Sequence, residues 1–551
     1  MKEAIRILSL FILTIVLFAF VSDEKKTPVI YMIGDSTMAN KNLEKGNPER
    51  GWGHVLPGFL DKSIKVENHA VNGRSSKSFR AEGRWDKVID KVKECDYVFI
   101  QFGHNDQKAN DSARYTNPEG EFKDNLKRYI FETRAKGGIP VLFTSIPRRN
   151  FLNDTLIDTH EKWLEATKEV ARETGVTLID MNKSVAELLE KTGDVKSREW
   201  FMWIKPGTNV LKPDGLEDNT HLNVAGARIV AKLAVKEMEQ KLPDLAPYFR
   251  YYDFVVAKDG SGDFFSIQDA IDAVPMFRNN TTKIYIRNGV YDERLLLPAD
   301  KNKVMLIGED VNKTLIVSDD YAQKQNRFGE NYGTSGSAGF YIYANDFTAE
   351  NITFENKAGQ VGQAVAVLTM GDRVAFYNCR FLGNQDTLYV KGEHTRVYFA
   401  NCYIEGTTDF IFGWATAVFN NCVICSKSNS FITAASTPEN VDYGYLFYKC
   451  KLIADKGVTD VYLGRPWRPY AKVAYVECEM GNHINPLGWH NWNKKEAEKT
   501  TEYVEINNFG EGAKTSKRVK WMKKSVEGKS YTMETYLKGT DDWKPFETNG
   551  L

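Results

Sequence analysis

Asp386 and Asp409 hold the same place in consecutive sequence repeats, and two carboxylates set side by side can divide the work of acid and nucleophile. A unit recurs from Phe376: Phe-Tyr-Asn-Cys at 376–379, Phe-Ala-Asn-Cys at 399–402, Phe-Asn-Asn-Cys at 419–422, Phe-Tyr-Lys-Cys at 447–450, and a weaker Tyr-Val-Glu-Cys at 475–478. Its cysteines fall 23, 20, 28 and 28 residues apart. β-rich units of that period read as a stacked solenoid such as a parallel β-helix. Each aspartate follows its cysteine by seven residues. Equal offsets on adjacent coils put the two side chains one rung apart, roughly 4.8 Å along the stack. Carboxylates that close do not both ionise freely, so one keeps a proton while the other stays charged.

A second set of reactive residues lies in the first half of the chain. A short apolar strand ends in Gly34-Asp35-Ser36-Thr37-Met38; later strands lead into Asn72-Gly73-Arg74 and Gly103-His104-Asn105-Asp106; and Asp218-Asn219-Thr220-His221 precedes the last helix of this half. Together they offer a hydroxyl, a glycine amide, an amide side chain and an acid–histidine pair, which are the parts of a serine esterase. Each motif alone is weak: Gly-Asp-Ser also fits a strand-end turn with a helix cap, and Asp218 with His221 also fits a local hydrogen-bonded pair.

The elements that must position these residues differ between the halves. From about residue 28 to 240, strand patterns (Val29–Ile33, Lys65–Val71, Tyr97–Phe102, Val141–Ser145, Val176–Asp180) alternate with helical ones such as Glu121–Lys136 and Asp158–Thr174. That alternation predicts a parallel sheet covered on both faces, with ligands beyond the carboxyl ends of its strands. Pro243 and Pro247 mark a short connection after the last helix, Asn223–Lys241. The spacing predicts domains at 28–242 and 253–551 joined by 243–252. Beyond Asp253 the pattern is short β runs broken by Gly, Asn and Asp, with one helix at Ser266–Ala273 that would cap the first coil.

The first half resembles the SGNH, or GDSL-type, hydrolases from Val29 to about Leu233. Gly34–Met38 followed by Gly51-Trp52-Gly53 resembles the rhamnogalacturonan acetylesterase branch. The resemblance implies a three-layer α/β fold with a flavodoxin-like sheet. It makes Ser36 the nucleophile, His221 the base and Asp218 its orienting carboxylate, with Gly73 and Asn105 joining the Ser36 amide in the oxyanion hole. The segment Ser197–Asp214 is long for that family, and its residues announce no role.

The second half resembles pectin methylesterases, through Ala257–Phe264, Asn288–Tyr291, Gly383–Tyr389, Asp409–Gly413 and Leu463–Trp467 in order. This implies a right-handed parallel β-helix that removes methyl esters from polygalacturonate without cofactor or metal. Asp409 is then the nucleophile and Asp386 the general acid, later the base. Gln363 and Gln385 hold the anionic intermediate, and Arg465 fixes Asp409. Tyr389, Phe412, Trp467 and Trp489 would line the sugar groove; for Phe412, core packing is the competing reading. An amide ladder along the solenoid competes for the two glutamines.

Composition narrows the classes. Seventy-three basic and 73 acidic residues cancel, which gives no argument for nucleic acid. Lys2 and Arg6 precede an apolar run, Ile7–Val21, too short to span a bilayer and fitted to a secretory signal over residues 1–22. An exported protein with a pectic polysaccharide as substrate and no membrane after cleavage is the expectation, its oligomeric state open. Five of seven cysteines share one repeat slot, and Ile352 fills that slot one coil earlier, so the slot reads as packing rather than disulfides. Cys422 and Cys425 lack the histidines or second pair a metal site needs. Other readings stay open: an N-terminal esterase for acetylxylan or a lipid, or a solenoid that binds carbohydrate without turning it over. A lyase would need a Ca²⁺-binding carboxylate cluster that the sequence does not offer.

Overall fold

The computed structural model describes residues 27–547, so the expected signal segment lies outside the described residues. The chain divides into two compact units, the first ending at Arg250 and the second beginning at Tyr251.

In the first unit five parallel strands, β1 (Val29–Gly34), β2 (Lys65–Asn68), β3 (Tyr97–Gln101), β4 (Ile139–Phe143) and β5 (Thr177–Ile179), lie in the order β2-β1-β3-β4-β5. The central strands β1, β3 and β4 are nearly continuous apolar runs, buried because both faces of the sheet are covered, giving two cores. One core is closed by the helix Val224–Lys241, whose buried Ala227, Val230, Ala231, Ala234 and Val235 share one face. The other is closed by Glu121–Ala135 and Glu161–Thr174. A small antiparallel sheet adds β6 (Phe201–Ile204) and β7 (Leu216–Asn223) beside Glu49–Arg50. Residues 243–250, which read as a linker in sequence, pack into this unit. Leu245 and Phe249 are buried in its core, Phe249 bridges Leu60, and Arg250 pairs with Asp61 at 2.9 Å.

The second unit is a right-handed parallel β-helix with three sheets of ten, eight and seven strands, every ladder parallel. The repeat seen in sequence is its cross-section. Phe376, Phe399, Phe419, Phe447 and Tyr475 are in register and stack with ring centroids 5.0, 4.7, 4.5 and 4.4 Å apart. Each following turn residue, Asn378, Asn401, Asn421, Lys449 and Glu477, has φ between 48° and 55°. Asparagine tolerates that left-handed conformation better than most residues, and its amide also bonds between rungs: Asn378 donates to Asn351 and Asn421 to Asn401, both at 2.6 Å. The cysteines then turn inward as buried free thiols, with Ile352 in the same column. Ile267–Ala273, capped by the Ser266 hydroxyl, buries Ile267, Ala270 and Ile271 against the same core.

Candidate active sites

On the solenoid, Leu388 pairs with Ile411 and Tyr389 with Phe412, so Asp386 and Asp409, two residues before each strand, share a rung-to-rung register. Both have positive φ, 66° and 50°, so both carboxylates leave the wall at equivalent bends. Both are buried. The Arg465 guanidinium grips Asp409 as a fork, Nε to Oδ1 at 3.0 Å and Nη2 to Oδ2 at 2.6 Å. Arg465 is itself sandwiched between Phe431 and Trp492, 4.0 and 3.7 Å from the ring centroids. Burial pushes both carboxyls above their ordinary range, and Arg465 opposes the rise at Asp409. Asp386 is driven well up, by burial and then by the Asp409 charge, with weaker relief from Arg465. The proton therefore rests on Asp386 and the charge on Asp409.

Gln363 and Gln385 form a parallel bridge on the rungs leading to these acids. They lie with Asp386, Asp409 and Arg465 in a cleft of about 560 Å³. Its apolar wall follows one column of the sheet: Tyr389 stacks on Phe412 at 4.1 Å, and the next rungs place Ala434 and Arg465 in that column. The small Ala434 side chain leaves space where a ring would otherwise continue the stack. Trp467 packs 5.9 Å from Phe412 and completes the wall.

In the first unit, Ser36 follows the end of β1 in a tight turn, with the Ala39 amide donating to the Asp35 carbonyl at 3.0 Å. Gly51 passes so close that a Cβ there would lie 2.4 Å from the Ala39 carbonyl oxygen, so only glycine fits beneath the turn. Ser36 Oγ lies 3.0 Å from His221 Nε2, and His221 Nδ1 lies 2.7 Å from Asp218 Oδ2. Asp218 Oδ1 accepts the backbone N–H groups of Thr220 and His221. Burial alone would raise Asp218, but His221 and these amides hold it at about 2. An ionised Asp218 fixes the proton on Nδ1 and leaves Nε2 free to accept from the serine. Asn105 donates to the Arg74 carbonyl at 3.1 Å, which ties it to the loop carrying Gly73 (φ 77°).

The family model for the Pectinesterase family matches residues 253–540. The chain belongs to the pectinesterase family. The model of the GDSL-like Lipase/Acylhydrolase family matches residues 32–229, so a GDSL-like domain precedes the pectinesterase domain in a carboxylic ester hydrolase. Among relatives, Pectinesterase 31 of Arabidopsis thaliana is 40% identical over 278 residues, 49% of this chain and 87% of that protein. A probable pectinesterase/pectinesterase inhibitor of Brassica napus is 37% identical over 300 residues, and this chain spans 50% of its length. The solved pectin methylesterase from carrot is 34% identical, with 53% of this chain covering 94% of that one at a TM-score of 0.49.

One expected groove residue of the pectinesterase unit is elsewhere. Trp489 is 1% exposed, stacks on Tyr503 at 4.1 Å and donates Nε1 to Glu505, so it belongs to the core. The tryptophan of this segment that reaches the cleft is Trp492, three residues on, turned out at φ 55° and lying over Arg465. Phe412 serves both readings made of it, being 3% exposed yet on the cleft wall. Asp106, which follows Asn105 directly, also bears on this site although its motif announces no role for it. It accepts from the Ser76 amide and hydroxyl and from the Thr116 hydroxyl, pinning the Gly73 loop to the Asn105 loop. Burial raises it to about 7 against those three donors. Among the described residues no group of three or more His, Cys, Asp or Glu converges as a metal site, and no helix is long and apolar enough to cross a membrane.

Proposed function

We propose that this chain is an exported pectin esterase with two independent sites, one releasing methanol and the other acetate from the same class of plant polysaccharide. The forked Arg465–Asp409 pair beside a protonated Asp386, at the foot of an aromatic cleft, carries the reading. The Asp409 carboxylate attacks the methyl-ester carbonyl of a galacturonate. The negative charge that develops on the carbonyl oxygen is met by the amides of Gln363 and Gln385. As the C–O bond to the methoxy group breaks, Asp386 gives up its proton and methanol leaves. A mixed anhydride with Asp409 remains. Asp386, now a carboxylate, removes a proton from water, and the resulting attack frees the galacturonate carboxylate and restores both acids.

In the first unit Ser36 Oγ attacks an acetyl ester while His221 Nε2 takes its proton, and His221 then returns that proton to the sugar hydroxyl that leaves. The acyl-serine is opened by water through the same histidine, releasing acetate. Donors at Gly73, Asn105 and the Ser36 amide would each contribute ~10²–10³ in rate.

Products from acetylated, methylated pectin test the division. Asp409→Ala is expected to abolish methanol and spare acetate, and Ser36→Ala the reverse. Losing both products in either variant, or neither, would refute the assignment.

A further inference from the structure

Asp218 and His221 are held by very little regular structure. The pairing of β7 with β6 shifts register between Asp218–Met202 and Leu222–Phe201, which leaves Asn219, Thr220 and His221 in a bulge. A histidine in a bulge has no ladder to fix it, so something else must set the 3.0 Å separation from Ser36. The bulge is gripped at Asn219. Its side-chain oxygen accepts Nε of Arg149 at 3.0 Å and Nε1 of Trp203 at 2.9 Å, and its backbone carbonyl accepts the Arg149 amide at 2.8 Å.

Arg149 is 3% exposed and cannot swing. Its Nη1 donates to the Asp194 carbonyl at 2.9 Å and also pairs with the Asp194 carboxylate. Its guanidinium carbon lies 5.0 Å from the Trp203 ring, and Arg198 covers that ring from 4.4 Å. We infer that Arg149, with Trp203, is a positioning residue that acts through Asn219 to hold Asp218 and His221 in line with Ser36. The same geometry gives Ser197–Asp214 its role, since this segment contains β6 and delivers Trp203 to the clamp. A guanidinium suits the task because one planar group serves Asn219 on one edge and Asp194 on the other, which a lysine ammonium cannot do.

The inference rests on the serine-site reading, and the experiment keeps the two apart. The kcat and KM for hydrolysis of p-nitrophenyl acetate are measured for the full-length chain and for Ser36→Ala, Arg149→Lys and Trp203→Phe, each with its thermal midpoint. For Arg149→Lys, kcat is expected to fall about 10- to 100-fold with KM within about twofold, as misplacement of a reacting group by about 1 Å would cause. Trp203→Phe removes one donor and should shift the same quantities less, which provides a second measurement if Arg149→Lys folds poorly.

If Ser36→Ala is inactive while both clamp variants keep the wild-type kcat, the clamp is refuted and the serine site stands. A lowered thermal midpoint with kcat unmoved likewise refutes positioning in favour of bulk stability. Full activity in Ser36→Ala would instead overturn the serine-site reading, and the inference with it.

Discussion

The two sites of this chain solve one problem by opposite means. On the solenoid the reactive pair is part of the repeat, so Asp386 and Asp409 meet because consecutive coils are stacked in register. In the α/β unit, Ser36 and His221 stand 185 positions apart and meet through loops that only the whole sheet brings together. Stacking supplies proximity without added devices but also sets two like charges together. The solenoid therefore needs a cation, Arg465, to make the pair unequal. The loop-built site starts with unlike groups and needs clamps: the Asp106 carboxyl for the loops of Gly73 and Asn105, and Asn219 with its two donors for the histidine.

The largest effect should come from removing the cation. Arg465→Gln keeps a polar side chain but is shorter, uncharged and without the fork. Truncating one partner of a buried, hydrogen-bonded charge pair costs about 2–5 kcal/mol, so methanol release is expected to drop by roughly 30-fold to several thousandfold. The sign of the pH change follows from the burial of Asp409. Without Arg465 the Asp409 carboxyl rises further, ionises at higher pH, and carries the acidic limb of the residual activity upward. Acetate release should not move. A variant whose limb stayed in place would mean that the inequality of the two acids arises elsewhere.

Next in size is a stability effect confined to the other unit. The ordinary value for Asp106 is 3.8 and the folded one about 7. A carboxyl raised on folding binds its proton more tightly in the native state. Its contribution is complete below about pH 4 and is lost as pH climbs to about 7, a span worth on the order of 4 kcal/mol. Asp106→Asn keeps an oxygen for Ser76 and Thr116 and has nothing to ionise. The melting midpoint of the first unit should then lose its fall between pH 4 and 7, as measured by calorimetry. A slope unchanged in Asp106→Asn would assign the titration to another group.

Legibility in sequence follows the same contrast. The solenoid could be read because its constraint is periodic: one slot for Phe, one for a left-handed Asn, one for a small buried thiol, each repeated until the period is plain. Where the period stops, so does the reading. Between Met480 and Glu502 the chain leaves the regular rungs, and Trp489 and Trp492 sit there in one His-Asn-spaced segment with nothing to say which turns inward. The answer lies in backbone geometry, with Trp489 bridging Gly464 beside the core and Trp492 bent outward at positive φ. In the α/β unit the strand-end motifs stand out as candidates, because ligands bind beyond the carboxyl ends of parallel strands. Arg149 does not, being one of two adjacent arginines in a loop with no pattern around it. Residues 243–250 looked like a linker because Pro243 and Pro247 punctuate them, while the burial of Leu245 and Phe249 is a tertiary fact.

The smallest effect separates the two tryptophans. Trp492→Phe leaves a ring over Arg465 but a weaker one, and an exposed cation–π contact is worth about 0.5–1 kcal/mol. The KM for methylated pectin should rise about two- to fivefold by the corresponding factor, with the thermal midpoint unchanged. Trp489→Phe removes the Nε1 bond to Glu505, which keeps its buried partner Arg518 at 2.9 Å. That loss should lower stability by about 1 kcal/mol and leave KM alone. The reverse pattern, with KM moved by Trp489 and stability by Trp492, would return Trp489 to the sugar groove. It would also mean that the column from Tyr389 through Phe412 to Arg465 is not the wall the polysaccharide meets.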